Sequence, residues 1–306
     1  MPLKCLAVLA MLVAGSMPAN AACIGAITSS TEHQFWRELI RGVNAAGAHA
    51  NVEVYVRSPN TETNEEGQRI IVEKAIDKGC IGIVIAPNSP QVLKGIAEVQ
   101  NGSIPVVFVD RDVGTPRISA VKTDNYAAGK LAGQKLAEIL NGKGKVALLR
   151  MLDGVSSTMD REQGFLDAIR DTELEVTLET HIGSTVGEAR INTSVLFADG
   201  AHVDGIFTPN ESTTVGALVA LKKLGFADKI HHVGFDFTPV LTTALESGEL
   251  SGVVIQNPYE MGYQGTLTLV RILNGESVDE FIDIPATYVD KTNLHSPEVQ
   301  DIISGK

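Results

Sequence analysis

Ile104-Pro105-Val106-Val107-Phe108-Val109-Asp110-Arg111 is the stretch whose reading decides the fold. An apolar, mostly β-branched run stands between a Gly102-Ser103 turn signal and a charged pair. That is the pattern of a strand buried on both faces, as in a parallel sheet. Asp110 and Arg111 then fall just beyond the strand's carboxyl end, where an open α/β sheet holds its ligands. Far downstream, His231-His232-Val233-Gly234-Phe235-Asp236-Phe237 reads as another short strand ending in an acid. Two strand-end aspartates so far apart predict two similar domains facing one cleft.

Working outward, strands and helices alternate twice. Residues 23–29 read as a strand, followed by Ser29-Ser30-Thr31 as helix-start chemistry and a helix carrying Phe35, Trp36, Leu39, Ile40 and Val43. A strand is expected at 52–56, a helix at 61–78 with Thr63 and Glu66 in capping-box relation, and a strand from Cys80 to Ala86. After 104–111 come a short strand at 118–121 and a helix from Tyr126 that Asn141-Gly142 ends. The second half predicts strands at 145–150, 174–181, 204–208, 231–236 and 253–256. Helices are expected at 160–169, 186–197, 212–224, through Leu245, and at 259–273, before a tail of mixed character. This alternation means α/β with parallel sheets wound on both faces. No Pro- or Gly-rich linker divides the halves, so several short crossings are expected rather than one tether.

The 306 residues suffice for two α/β domains, and 44% hydrophobic with 20% charged residues is ordinary globular composition. Residues 1–21 read as a cleaved signal peptide: Lys4, an apolar run from Leu6 to Val13, and Ala19-Asn20-Ala21 as exit. Asn20-Ala21-Ala22 lacks the Leu expected before a lipidated cysteine, so export is read rather than anchoring at Cys23. Nothing after residue 21 could span a bilayer. A net charge of −12 argues against a nucleic-acid partner. Cys5 leaves with the signal, and Cys23 and Cys80 open similar segments, Cys23-Ile24-Gly25-Ala26-Ile27 and Cys80-Ile81-Gly82-Ile83-Val84. Side by side in a doubly wound sheet, in an oxidising compartment, they predict a disulfide at the edge away from the ligand; two buried free thiols are the alternative.

With Phe35-Trp36, Val109-Asp110-Arg111, Thr123-Asp124-Asn125, Arg161-Glu162-Gln163-Gly164-Phe165, Asn210-Glu211, Val233-Gly234-Phe235-Asp236 and Gln256 laid out in order, the chain resembles a known group. It is similar, from Cys23 to about Asn293, to the exported sugar-binding proteins of bacterial ABC transporters, the ribose-binding-protein-like (type I periplasmic binding protein) family. The resemblance implies two doubly wound Rossmann-like lobes with parallel sheets, joined by a three-crossing hinge. Crossings would lie near 123–125, 256–258 and 285–288. The N-terminal lobe would comprise 22–124 plus 258–284, and the C-terminal lobe 125–257 plus 285–306.

A sugar needs acceptors and donors around its rim and flat apolar surfaces above and below. Asp110 and Asp236 supply acceptors, Arg111 and Arg161 forked donors that would also hold the carboxylates ionised. Phe35 and Trp36 match the family's stacking positions, although Trp36 also fits a core stripe with Ile40 and Val43. Phe235 is a third wall or a core residue. Asn210 and Gln256 are amides expected to touch ligand, with helix capping and hinge bridging as their alternatives. His33, Ser29 and Thr123 complete the expected site, Ser29 with capping as its alternative. His33 and Ala86 stand where ribose binders carry asparagines, and a second-lobe aromatic is replaced near Ser184, which points away from ribose itself.

No G-x-S-x-G elbow and no metal-ligand spacing of histidines appears in the sequence, so no enzyme activity, metal or cofactor is expected. His231 and His232 are adjacent on a strand and should face opposite sides. The expectation is a monomeric periplasmic receptor that closes on a monosaccharide (pentose, hexose or related polyol) and delivers it to an inner-membrane ABC permease. A sugar-sensing component for chemotaxis or a sensor kinase is the alternative. A LacI-type effector domain would need a basic helix-turn-helix where the signal peptide stands.

Overall fold

Two six-stranded sheets carry the chain, in a computed structural model that describes residues 23–31, 33–114, 116–200 and 202–305. The signal-peptide reading of 1–21 lies outside the described residues. The first sheet is entered through β1 (Cys23–Ile27), α1 (Gln34–Ala50), β2 (Glu53–Arg57), α2 (Glu65–Asp77) and β3 (Cys80–Ile85). A 3₁₀ turn at Pro90–Leu93, α3 (Ala97–Gln100), β4 (Val106–Val109) and β5 (Ser119–Lys122) follow. The second sheet is built by α4 (Asn125–Ile139), β6 (Lys143–Arg150), α5 (Ser156–Ile169), β7 (Glu173–His181) and α6 (Val186–Leu196). It continues with β8 (Gly205–Phe207), α7 (Glu211–Leu224), β9 (His231–Phe235), α8 (Pro239–Ser247) and β10 (Gly252–Ile255). Finally come α9 (Pro258–Leu273), β11 (Phe281–Asp283), β12 (Thr287–Val289) and α10 (Pro297–Ser304).

The strand orders, β11-β5-β4-β3-β1-β2 and β12-β10-β9-β8-β6-β7, are the same arrangement used twice. In both, β4 and β9 hold equivalent places, and both are buried along their apolar runs. Apolar clusters cover both faces of each sheet, and none of them draws residues from both lobes. The chain passes from the first sheet to the second between Lys122 and Asn125, returns between Ile255 and Pro258, and crosses again between Asp283 and Thr287.

Pairing is parallel throughout except between β10 and β12, which run antiparallel with Ile255 opposite Thr287. The exception follows from the crossings: β10 ends at the hinge, where the chain leaves for the first lobe, and β12 starts at the hinge, where it returns, so the two neighbours run in opposite directions. Cys23 and Cys80, paired neighbours at the amino ends of β1 and β3, form the expected disulfide. His231 is exposed and His232 fully buried, as adjacent strand residues should be.

Two local expectations change. Helix α2 is capped by Asn64, whose side chain accepts from Gly67 N, rather than by a Thr63–Glu66 box. The Asn64 carbonyl oxygen competes better for the first amides than a threonine one residue earlier. Helix α5 starts at Ser156 rather than at residue 160, because Ser156-Ser157-Thr158 forms its first turn.

Candidate ligand-binding site

Asp110 and Asp236 each follow the strand at the equivalent place in its sheet, and both have left-handed backbones, φ 64° and 67°. A non-glycine residue there costs roughly 1–2 kcal/mol, a strain tolerated where a side chain must be aimed. Both carboxylates are almost fully buried and line one cavity between the lobes.

On the first lobe, Phe35 and Trp36 stand in the first turn of α1 and meet edge to face, ring centres 4.8 Å apart. Trp36 Nε1 donates to Glu62 Oε1 at 3.2 Å. Arg111 Nη2 donates to Glu62 Oε2 at 2.5 Å, and its guanidinium lies 5.6 Å from the Trp36 ring centre. Its Nε is 3.4 Å from Asp110 Oδ2. Against the burial penalty, Arg111 and His33 hold the Glu62 carboxyl below its ordinary range. Asp110 goes the other way: burial, only partly offset by Arg111 and Arg161, pushes it up to about 6.

On the second lobe, Arg161 is buried on α5, its Nε donating to Asn125 Oδ1 (2.8 Å) and Nη1 to the Pro209 carbonyl (2.9 Å). Its guanidinium covers the Phe235 ring at 4.1 Å. Burial lowers its pKa against the pull of Asp236 and Asp110. Asp236 accepts from Gln256 Nε2 at 2.7 Å and from the Glu211 backbone at 2.8 Å. Asn210 caps α7 through Thr213 N, and its Nδ2 donates to Ser212 Oγ and contacts the Met151 sulfur.

His33, Phe35, Trp36, Asp110, Arg111, Arg161, Asn210, Asp236 and Gln256 thus come together around the cavity. Ser29, Thr123 and Phe235 do not. Ser29 Oγ donates to the Ala86 carbonyl behind the wall, and Thr123 Oγ1 donates to the Ile284 carbonyl at a crossing. Phe235 is fully buried between Arg161 and Phe207, where stacking on the guanidinium leaves it no free face. The expected arginine pairing holds for Asp110, whose Oδ2 lies 3.4 Å from Arg111 Nε, although Arg111 gives its shorter bond to Glu62; it fails for Asp236, which is held by an amide side chain and a backbone N–H.

Sequence reading missed Glu62, Met151, Ser157, Thr158 and Glu211 among the lining residues. Ser157 and Thr158 carried a usable signal, since hydroxyl residues ahead of a helix mark its N-terminus. Glu62 carried none, lying in an acid-rich loop and meeting Arg111 only through the fold. Within the site, His33 Nε2, Arg111 Nε and Gln256 Oε1 are buried without a hydrogen-bond partner. Among the described residues no group of three His, Cys, Asp or Glu side chains could hold a metal ion.

The model of a periplasmic binding protein domain matches residues 24–277. A ribose import binding protein of Haemophilus influenzae is 27% identical over 280 residues, covering 91% of this chain and 94% of that protein. The periplasmic component of an ABC-type sugar transport system from Hahella chejuensis superposes with a TM-score of 0.83 at 33% identity, over 87% of this chain and 99% of that one. A carbohydrate transporter solute-binding protein from Agrobacterium radiobacter in complex with D-arabinose gives 0.87 at 26% identity, over 93% and 99%.

Proposed function

Because the chain belongs to the periplasmic binding protein family, whose members are non-enzymatic transport components, we propose that it captures a monosaccharide or related polyol between its lobes. The observation that carries this reading is the pair of strand-end aspartates, equivalent in the two sheets, lining one cavity from opposite sides. Asp110 and Gln256 Oε1 offer acceptors to hydroxyl protons, while Arg161 and Arg111 Nε offer donors. Phe35 and Trp36 supply a flat apolar face for the C–H side of a ring. Four carboxylates against two guanidinium groups disfavour an acidic sugar.

Capture works by closure: a ligand that contacts both lobes binds the closed form better and shifts the population toward it. The moving bodies are residues 22–124 plus 258–284 and residues 125–257 plus 285–306. The protein is exported by its amino-terminal segment, acts as a monomer in the periplasm, and hands its sugar to an ABC permease. No described helix is long and apolar enough to cross a membrane. One relative is named for ribose import and one similar structure holds D-arabinose, which makes pentoses the first compounds to try.

Trp36 is the single tryptophan and lines the cavity, so its emission reports occupancy. Titration with pentoses, hexoses, polyols and inositols should shift that emission and raise the melting temperature for one class. Silence of both signals across the panel would remove the sugar-capture reading.

A further inference from the structure

We infer that Glu211 is a clasp between the lobes: its carboxylate caps the N-terminus of α1 across the cleft, a cap present only while the lobes are closed. Helix α1 is 17 residues long, its N-cap residue His33 makes no side-chain capping bond, and its first turn holds no acid. The first-turn amides are satisfied from the other lobe. Glu211 Oε1 accepts from Gln34 N and Oε2 from Phe35 N, each at 3.1 Å. By contrast α2, α4, α6 and α7 are capped by their own preceding residues, Asn64, Asp124, Thr185 and Asn210.

The carboxylate is placed for this by the second lobe. Glu211 is the first residue of α7, and its own N–H donates to Asp236 Oδ2 at 2.8 Å. His33 lies beside the clasp, Nδ1 3.9 Å from Glu211 Oε1 and Nε2 3.6 Å from Glu62 Oε1. A carboxylate on exposed helix amides is favoured by the two bonds and by the helix dipole together. Because one of the two amides belongs to Phe35, the clasp also fixes the ring that walls the cavity. Glu211 is therefore a positioning residue: it couples the ligand-facing Asp236 to the first-lobe aromatic wall. When the lobes part, α1 loses its cap to water, so the same contact that holds the closed form is absent from the open one.

The inference rests on the proposed opening and closing of the lobes but is tested separately. Hydrogen-exchange mass spectrometry and small-angle scattering are run on wild type, E211A and E211Q, each alone and with excess D-ribose or D-arabinose. In at least one of those conditions residues 33–37 should exchange about ten-fold slower in wild type than in E211A. E211Q should fall between, since glutamine keeps one acceptor oxygen and no charge. Strands 106–109 and 205–207 should exchange alike in all three, which reports intact sheets. In the condition that shows the difference, E211A should have the larger radius of gyration. Equal exchange at 33–37 in every condition overturns the clasp. Faster exchange in E211A with an unchanged radius also overturns it, because Glu211 would then cap α1 without holding the lobes together. Wild type that binds neither sugar yet keeps slow exchange at 33–37 relative to E211A supports the clasp while withdrawing support from pentose capture.

Discussion

A carboxylate flanked by two guanidinium groups is ordinarily held ionised, yet burial raises Asp110 from 3.8 to about 6. An acid whose folded pKa lies above its unfolded value adds stability that is fully present below the unfolded pKa and lost as pH rises through the folded one. For Asp110 that window runs from about 4 to about 6, and the loss is of order 3 kcal/mol. Asp110→Asn should therefore melt higher than wild type at pH 7.5, with the gap closing near pH 4, as thermal scans across that range would show. The same variant should bind sugar roughly 10- to 150-fold more weakly at pH 7.5, because an acceptor of charge-assisted bonds is lost. Wild-type affinity should fall as pH drops through about 6, where Asp110 gains its proton. A calorimetric titration at pH 5 and pH 7.5 that returned equal affinities would exclude Asp110 from the contact. The strand-end position of Asp110 was legible from the apolar run before it. Its titration was not, because that depends first on burial in the folded cleft and then on charges such as Glu62 that only the fold brings near.

Helix pairs repeat between the lobes as the strands do: α1 packs on α9, and α4 on α5, through glycines facing backbone. A Cβ at Gly129 of α4 would lie 1.9 Å from the Arg161 carbonyl oxygen, and one at Gly164 of α5 would lie 2.1 Å from that of Tyr126. In the first lobe Gly42 and Gly262 do the same for Tyr259 and Leu39. The close approach sets how far α5 carries Arg161 toward the cleft. Gly129→Ala should push the helices apart, at about 1–3 kcal/mol of overpacking, and should lower sugar affinity through displacement of Arg161. Denaturant melts read the first effect and fluorescence titration the second; a variant with native stability and affinity would show that the contact does not position Arg161. The alternation of strands and helices was plain in hydrophobic period. The close approach was not, because a glycine inside an Ala-Gly-rich helix carries no mark of what lies against it.

Apolar clusters in this molecule respect the division into lobes: residues 128–255 and 286–303 share no cluster with residues 23–121, which 261–284 join instead. Two lobes could be inferred from the repeated pattern and the absence of a linker; how they grip each other could not, since Glu211 meets α1 across 176 residues. The Cys23–Cys80 bond closes a span of 57 residues wholly within the first lobe. A loop of that size restricts the unfolded chain by about 4 kcal/mol in the chain-entropy account. With separate cores, the lobes should unfold in two overlapping calorimetric steps rather than one. Cys23→Ser with Cys80→Ser should then lower one step and leave the other in place. A bound sugar touches both lobes, so it should raise both steps, by an amount that grows with the logarithm of its concentration. A single step that moves as a whole when the disulfide is removed would show that the cleft contacts, the clasp among them, already make the two cores one cooperative unit without ligand.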